Sequence, residues 1–420
     1  MIGAINNASA ILYFSATGRR LKMAPMDHDE QRLQSNSYQG PLRGIRVVDL
    51  TTVVMGPYAS QTLAEYGAEV IKVEAPGGDG TRQIGPARED GMAALFLGIN
   101  RNKRSVVLDL KTPEGRADLL RLAAGADVFM HNMRPEKLCA LGLGPEAIHQ
   151  VNRRMVFAAL TGFGTGGRYA GQPAYDDVIQ GLSGLASMME MQSGTPRYLP
   201  TTVADKVGSL TAVGAILAAL LQQRATGKGA VVEVPMFESV VSFGLVEHSQ
   251  GDLFDPPLAP PGYRRALMPA RRPHATRDGF ACTMPYSDAH WNSLLRELGD
   301  AEALNDDRFS SLAQRTRHIE LLYERLAEHV KSRTTDEWLA LCRRLDIPAA
   351  RMNRLGELRS DPHLRDVGHF VELHDPEMGC VVFPRNPVSF DGWKSPVRVP
   401  PRLGADTDHV MGQARREAAQ

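Results

Sequence analysis

From Gly44 onward, short runs of β-branched and aliphatic residues recur along the chain: GIRVVDL, AEVIKVE, SVVLDL, ADVFMHN and RMVFAAL. Each has the length and composition of one strand. Between them lie stretches with helical spacing of apolar positions, such as SQTLAEYG and TPEGRADLLRLAAG. Strands alternating with helices predict parallel βαβ units with right-handed crossovers. The pattern therefore predicts an α/β fold, with a Rossmann-like large domain built on a parallel sheet over residues 41–250. Its first strand ends at Asp49-Leu50, and ligands of such sheets gather at the carboxyl ends of the strands.

The pattern then changes. Residues 251–275, GDLFDPPLAPPGYRRALMPARRPHA, are rich in Pro and Arg and read as a linker. Beyond it a strand, GFACTM, and helices such as RTRHIELLYERLAEHVKS predict a smaller α/β domain over about 270–360. The tail from about 365 to 420 has strand character and is expected to return to the large domain. At the other end, residues 1–40 lack periodicity and read as a disordered extension, with Met23 or Met26 as an alternative start. In ILYFSATGRRLK the apolar run precedes the basic residues, the reverse of a secretory signal.

Composition narrows the function. A chain of 420 residues with 43% hydrophobic content accommodates two domains. Lys+Arg and Asp+Glu both number 48, which gives no support for a nucleic-acid or anionic-membrane partner. Any cationic ligand site is therefore local and suited to a small anion. The four cysteines form no CxxC pair, so neither a disulfide framework nor a metal site is expected, and the cytoplasm is the expected compartment. The apolar run 207–221 is shorter than the ~20 residues of a membrane span and reads as a buried core helix. The first βα turn, TTVVMGPYAS, lacks G-x-G-x-x-G, which disfavours a nicotinamide-dependent oxidoreductase.

One carboxylate, Asp205, opens that apolar run in TTVADKVGSLTAVGAILAALL. By position alone it is a helix N-cap or a nucleophile, and the two roles are compatible. Gly208 and Gly214 weaken the predicted helix unless another backbone or a ligand approaches them.

Six stretches, in order, resemble the family III CoA-transferases, the group that contains formyl-CoA transferase and carnitine CoA-transferase. They are GIRVVDLTTVVMGPYASQTLAEYGAEVIKVE, NRNKRSVVLDLKTPEG, HNMRPEKLCALGLG, LTGFGTGGRYAGQPAYDDVIQGLSGL, ADKVGSLTAVGAILAALLQQRATGKG and PPRLGADTDHV. The resemblance implies CoA transfer from an acyl-CoA donor to a free carboxylic acid, with Asp205 as nucleophile. An aspartyl anhydride and then an aspartyl-CoA thioester would carry the exchange, with no tightly bound cofactor. It also implies that Tyr175 and Asp176 line the reaction site. Coenzyme A would be held by Val54, Met55, Ala75, Leu108, Asp109, Leu110, Lys111, Asn132, Met133 and Arg134.

The sequence departs from formyl-CoA transferase at Ala75 and Ala140, where that enzyme has arginines, and Lys137 or Arg134 would compensate. A glycine-rich active-site loop also has no match here; GYRRALMPARRPHATRDG stands in its region. Related acyl-CoA racemases carry a histidine where Tyr175 stands, and a phenol of pKa near 10 is a poor proton carrier at neutral pH. Racemisation, or acyl-CoA binding without catalysis, are the alternatives. The resemblance further implies an interlocked, ring-shaped homodimer, for which the linker and the returning tail would be required. The linker alone is equally compatible with two domains packed side by side in a monomer.

Overall fold

The computed structural model describes residues 39–418. The extension expected over residues 1–40, with its alternative starts at Met23 and Met26, lies outside them apart from its last two positions.

Six parallel strands make the central sheet: β1 (Arg46–Asp49), β2 (Glu69–Glu74), β3 (Arg104–Val107), β4 (Val128–His131), β5 (Val156–Thr161) and β6 (Ala230–Pro235). Their order is β3-β2-β1-β4-β5-β6, with Val48 paired to Ile71 on one side and Phe129 on the other. This is the doubly wound arrangement that the alternation of strands and helices predicts, and its direction reverses between β1 and β4. Strands β1, β2 and β4 are buried at every position, so their sequences are continuous apolar runs rather than alternating ones.

Six helices frame the sheet and its carboxyl edge: α1 (Met55–Glu65), α2 (Pro113–Ala124), α3 (Pro135–Ala140), α4 (Asp176–Leu182), α5 (Val203–Thr226) and α6 (Met236–His248). Adjacent strand residues supply opposite faces. Val47, Val70 and Val128 pack with Leu63, Ala212 and Ile216 from α1 and α5. Val48, Ile71 and Phe129 pack with Leu119 and Leu122 of α2 and with Val410 and Met411 near the C-terminus.

Helix α5 runs further than the apolar 207–221 segment suggests. It is 24 residues long and, by length and composition alone, apolar enough to cross a membrane. Half of its most apolar window is buried against the protein, and it packs on α1, β5 and β6. It is the core helix the sequence predicts, prolonged by its polar tail until Gly227, at φ 71°, ends it. Of the two glycines in its first half, Gly208 has a packing reason: a Cβ there would stand 2.6 Å from Met55 Cε of α1. At Gly214 a Cβ would meet nothing within 4 Å, and no packing accounts for that glycine.

The Pro/Arg-rich stretch is structured rather than a plain linker. It holds a short helix, Arg264–Leu267, and folds back on the end of α6, where the Gly262 N–H donates to the His248 carbonyl at 2.7 Å and the Tyr263 N–H to His248 Nδ1 at 3.1 Å. Beyond it, β7 (His274–Ala275), β8 (Phe280–Thr283) and β9 (Ala349–Arg351) form a small antiparallel sheet. A separate apolar cluster including Trp291, Leu294, Leu322 and Trp338 packs against it.

The tail does rejoin the large sheet, but not as an added strand. Its strands β10 (Phe370–Asp375) and β11 (Gly379–Pro384) pair only with each other. Contact is made by α7 (Thr407–Glu417) and the residues before it. Asp406 Oδ2 accepts the Ser105 N–H at 2.9 Å, and Thr407 Oγ1 accepts the Val107 N–H at 3.1 Å. Those are the outward-facing donors of edge strand β3, so the tail closes an edge that would otherwise invite pairing with another chain.

At the other turn of the sheet, Gly56 lies so close to Thr51 that a Cβ would fall 2.1 Å from Thr51 Cβ. Thr51 is fully buried and cannot yield. Gly56→Ala is therefore expected to cost about 1–3 kcal/mol by overpacking, seen as a lower midpoint in urea unfolding monitored by tryptophan fluorescence.

Candidate active site

The loop from β1 to α1 is the centre of the site, and buried charges hold it from below. Lys103 Nζ donates to Asp49 Oδ2 (3.2 Å), the Pro57 carbonyl (2.9 Å) and Asn100 Oδ1 (2.8 Å). Lys72 Nζ donates to the Thr51 carbonyl (2.8 Å) and Asp79 Oδ2 (2.9 Å). Asp49 also accepts from the Thr51 N–H (2.9 Å) and from the Thr51 and Ser60 hydroxyls. Both lysine side chains are fully buried. Burial opposes ionisation of Asp49, but Lys103 and Lys72 outweigh it and hold the carboxylate below its ordinary range. Burial pushes Lys103 down to about 8, a drop that Asp49 opposes and Lys72 reinforces.

Within this loop Val53 has φ 69°. A β-branched residue rarely enters that region, and such strain costs on the order of 1–3 kcal/mol. After it, Val54 is the N-cap of α1 but caps nothing with its side chain, so the first amides of the helix remain available.

Asp205 faces them. It is not the cap of α5: Thr202 is, without a side-chain bond, and Asp205 lies inside the first turn. The capping is done from another helix. Asp176, the first residue of α4, accepts the Ala204 and Asp205 N–H groups on Oδ1 at 2.7 and 3.1 Å. Its Oδ2 accepts Gln180 Nε2 at 2.6 Å. Gln180 Oε1 in turn accepts the Leu199 N–H at 2.8 Å, tying the approach to α5. Ser209 donates to the Met55 carbonyl, locking α5 to α1. The Asp205 carboxyl is buried, 8% exposed. Burial first, and then the charge of Asp176, push it up to about 6, while the Met55 N–H and Lys206 pull the other way. A carboxylate with this value is a serviceable nucleophile at neutral pH and is only partly desolvated.

The residues proposed to hold coenzyme A fall along the same carboxyl edge. Val54 and Met55 follow β1, and Ala75, exposed, follows β2. Leu108 to Lys111 follow β3 in a tight turn that Asp109 closes by accepting the Lys111 N–H at 3.0 Å. The carbonyls of Leu110 and Lys111 accept Arg116, while the Lys111 side chain is exposed. Asn132, Met133 and Arg134 follow β4. Arg134 and Lys137 are exposed at and within α3, whose last residue is Ala140. A cleft lined by Met133, Arg134, Thr161, Gly162 and Phe163 opens between the ends of β4 and β5. Tyr175, the residue before α4, is 66% exposed. Of the arginines in the Pro/Arg-rich stretch, Arg264, Arg271 and Arg272 are exposed, whereas Arg265 donates to Tyr323 Oη at 3.0 Å and lies over the Tyr286 ring.

The sequence model of CoA-transferase family III matches residues 42–407. The chain belongs to that family. It is 30% identical over 379 residues to the human succinyl-CoA:glutarate CoA-transferase, covering 90% of this chain and 86% of that one. It is also 30% identical over 395 residues to the formyl-CoA:oxalate CoA-transferase of Shigella sonnei, covering 88% and 95%. A crystal structure of a CaiB/BaiF family protein from Brucella suis superposes with a TM-score of 0.75 at 29% identity, covering 89% and 99% of the two chains. The fold class expected from the sequence is thus the one observed, and the protein is a transferase that handles acyl-CoA thioesters.

The charged base of this family III site is not evident from sequence patterns. Lys72, Asp79, Lys103 and Gln180 carry no motif of their own, although Lys72 stands within the apolar strand EVIKVE and Asp49 at the end of VVDL. A lysine inside a strand otherwise buried on both faces is the available signal, since it stays buried only when paired.

The raised pKa of Asp205 makes its charge a liability for stability. Its folded value is about 6, against 3.8 for the exposed group, so the folded state takes up the proton first as pH falls. Stability therefore declines as pH rises from about 4 through 6. Asp205→Asn removes that penalty and should stabilise the protein at pH 8 by on the order of 1–3 kcal/mol, with about a third of that effect at pH 4.5. Thermal melts of both proteins at the two pH values check this.

Proposed function

We propose that the chain moves CoA from an acyl-CoA donor to a free carboxylic acid through covalent intermediates on Asp205. The observation that supports this reading most is Asp205 itself: a buried carboxylate, raised to about 6, where the starts of α1 and α5 meet at the carboxyl edge of the sheet. Its oxygen attacks the thioester carbonyl, and the tetrahedral adduct collapses to an aspartyl–acyl anhydride and CoA thiolate. The thiolate attacks the aspartyl carbonyl, releases the donor's carboxylate and leaves an aspartyl-CoA thioester. An acceptor carboxylate reverses these steps and departs as the new acyl-CoA. The Met55 N–H is placed to stabilise the oxyanion on the aspartyl carbon. Asp176 bonds the backbone of α5 and acts on the Asp205 carboxyl through its charge, so we assign it the part of a positioning residue. Tyr175, exposed and directly before Asp176, is the residue we assign to the entrance for acyl groups. Lys111, Arg134 and Lys137 are the cations we assign to the CoA phosphates.

The similarity to succinyl-CoA:glutarate CoA-transferases makes dicarboxylic acids the first acceptors to test. Asp205→Asn should lower transfer at least a hundredfold while leaving CoA binding by calorimetry within about threefold. Wild-type transfer should rise with pH through about 6 and then level off, because only the ionised carboxylate attacks. Retained activity in Asp205→Asn rules the nucleophile out. Exchange of the α-proton in deuterated water without an acceptor would instead identify a racemase.

We also propose that the chain works as a homodimer. Leu210 and Leu221 on α5, Phe243 and Val246 on the adjacent α6, and Leu253 and Leu258 just beyond it are exposed. A groove lined by Val207, Leu210, Ser239 and Phe243 runs between the two helices. An apolar surface of this kind on adjacent elements marks an association face. If the chains interlock as rings, light scattering should still give about twice 46 kDa after dilution to nanomolar protein. A monomer, or a dimer that dissociates on dilution, rules interlocking out.

A further inference from the structure

Asn132 stands among the residues that the family resemblance assigns to coenzyme A, yet its side chain is engaged elsewhere. Oδ1 accepts the Thr52 N–H at 3.0 Å, and Nδ2 donates to the Thr52 carbonyl at 2.7 Å. The amide thus pairs with one residue's backbone as a neighbouring strand would, across the point between β1 and β4 where the sheet reverses. The residue it grips immediately precedes Val53, at φ 69°. The neighbouring groups are held as well: Thr51 by Asp49 and Lys72, and the Val53 N–H by a long contact of 3.5 Å to Asp79. Two residues after Val53, the Met55 N–H faces Asp205.

We propose that Asn132 is a positioning residue that clamps the β1–α1 loop in its strained form, so that the Met55 N–H stays aimed at Asp205. A strained valine persists only where its surroundings over-determine it, and Asn132 is a clamp on this loop that is not part of the buried charge network. Each of its polar groups makes one bond to Thr52, and the pair of bonds fixes the amide's orientation toward the loop. Its effect is therefore on the rate of acyl transfer at Asp205 and not on affinity for coenzyme A. The inference rests on the CoA-transfer reading of the site.

The test compares wild type, Asn132→Ala, Val53→Gly and the double variant, using succinyl-CoA as donor and glutarate as acceptor. Thr52 is exposed, so water satisfies its backbone when the asparagine is removed and the variant should fold. Asn132→Ala should lower kcat at least tenfold and leave the KM for succinyl-CoA within threefold. Glycine adopts φ near 70° without strain, so adding Val53→Gly should restore kcat several-fold. A raised KM with unchanged kcat would show that Asn132 contacts coenzyme A, and absence of rescue in the double variant would show that loop strain is not what it controls. Either result overturns the proposal while leaving CoA transfer intact. An inactive wild type across a panel of donors and acceptors would instead count against the underlying reading.

Discussion

The charged base under the β1–α1 loop is the constraint on which the site depends. Lys103 and Lys72 are removed from water along with Asp49 and Asp79, and the attraction within each pair must offset a desolvation cost of several kcal/mol per ion. A hydrophobic filling of the same space would be at least as stable. What charges offer instead is direction: each ammonium reaches a main-chain carbonyl, Thr51 for Lys72 and Pro57 for Lys103. Those two bonds bracket the turn that leads into α1. The loop is thereby fixed at both ends from beneath, leaving its strained centre and the first amides of α1 to face the cleft.

The same logic explains why a carboxylate can be buried at that junction. A lone aspartate among apolar helices would protonate and become inert. Here Asp176 occupies the α5 amides that would otherwise draw Asp205 into the role of a cap, and its own charge keeps Asp205 from being over-stabilised. The Met55 N–H works against that repulsion. The balance leaves Asp205 near 6, ionised at neutral pH and not so well solvated that attack on a thioester requires stripping a full hydration shell. Stability is given up locally, as would be expected if Asp205 forms and breaks a covalent bond in the proposed mechanism.

How much of this was legible in the sequence depends on the range of the interactions concerned. Strand runs such as VIKV and VVDL are local and buried, and they announce the parallel sheet directly. The apolar stripe of α5 and the solitary Asp205 at its start are local too. What could not be read is the partner of each polar group. Asp176 is 28 residues from the Ala204 N–H that it accepts, and Asn132 is 80 residues from Thr52. A spacing rule cannot supply such contacts, so it leaves Asp205 with two roles, whereas the structure shows that Asp176 on α4 accepts the first amides of α5. The composition of 251–275 left its contacts unread for a related reason. Proline and arginine suggest solvent, yet Arg265 is drawn into contact with Tyr323 and Tyr286 once the chain folds back on α6.

The division of labour along the carboxyl edge also accounts for the chain's neutral composition. Recognition of a polyanion such as coenzyme A does not require a basic protein when its phosphates meet only a few exposed cations, the part proposed for Lys111, Arg134 and Lys137. The reacting end needs the opposite environment, an apolar wall and one carboxylate. The two requirements conflict at close range, because a nearby cation would hold Asp205 low and weaken it as a nucleophile. Placing the proposed cations beyond the ends of β3 and β4, and pairing each lysine of the charged base with its own aspartate, keeps them apart from Asp205, on which the neighbouring Lys206 acts. On the proposed reading, one ligand spans both environments at the sheet's reversal point, its charged end at the ends of β3 and β4 and its thioester beside α5.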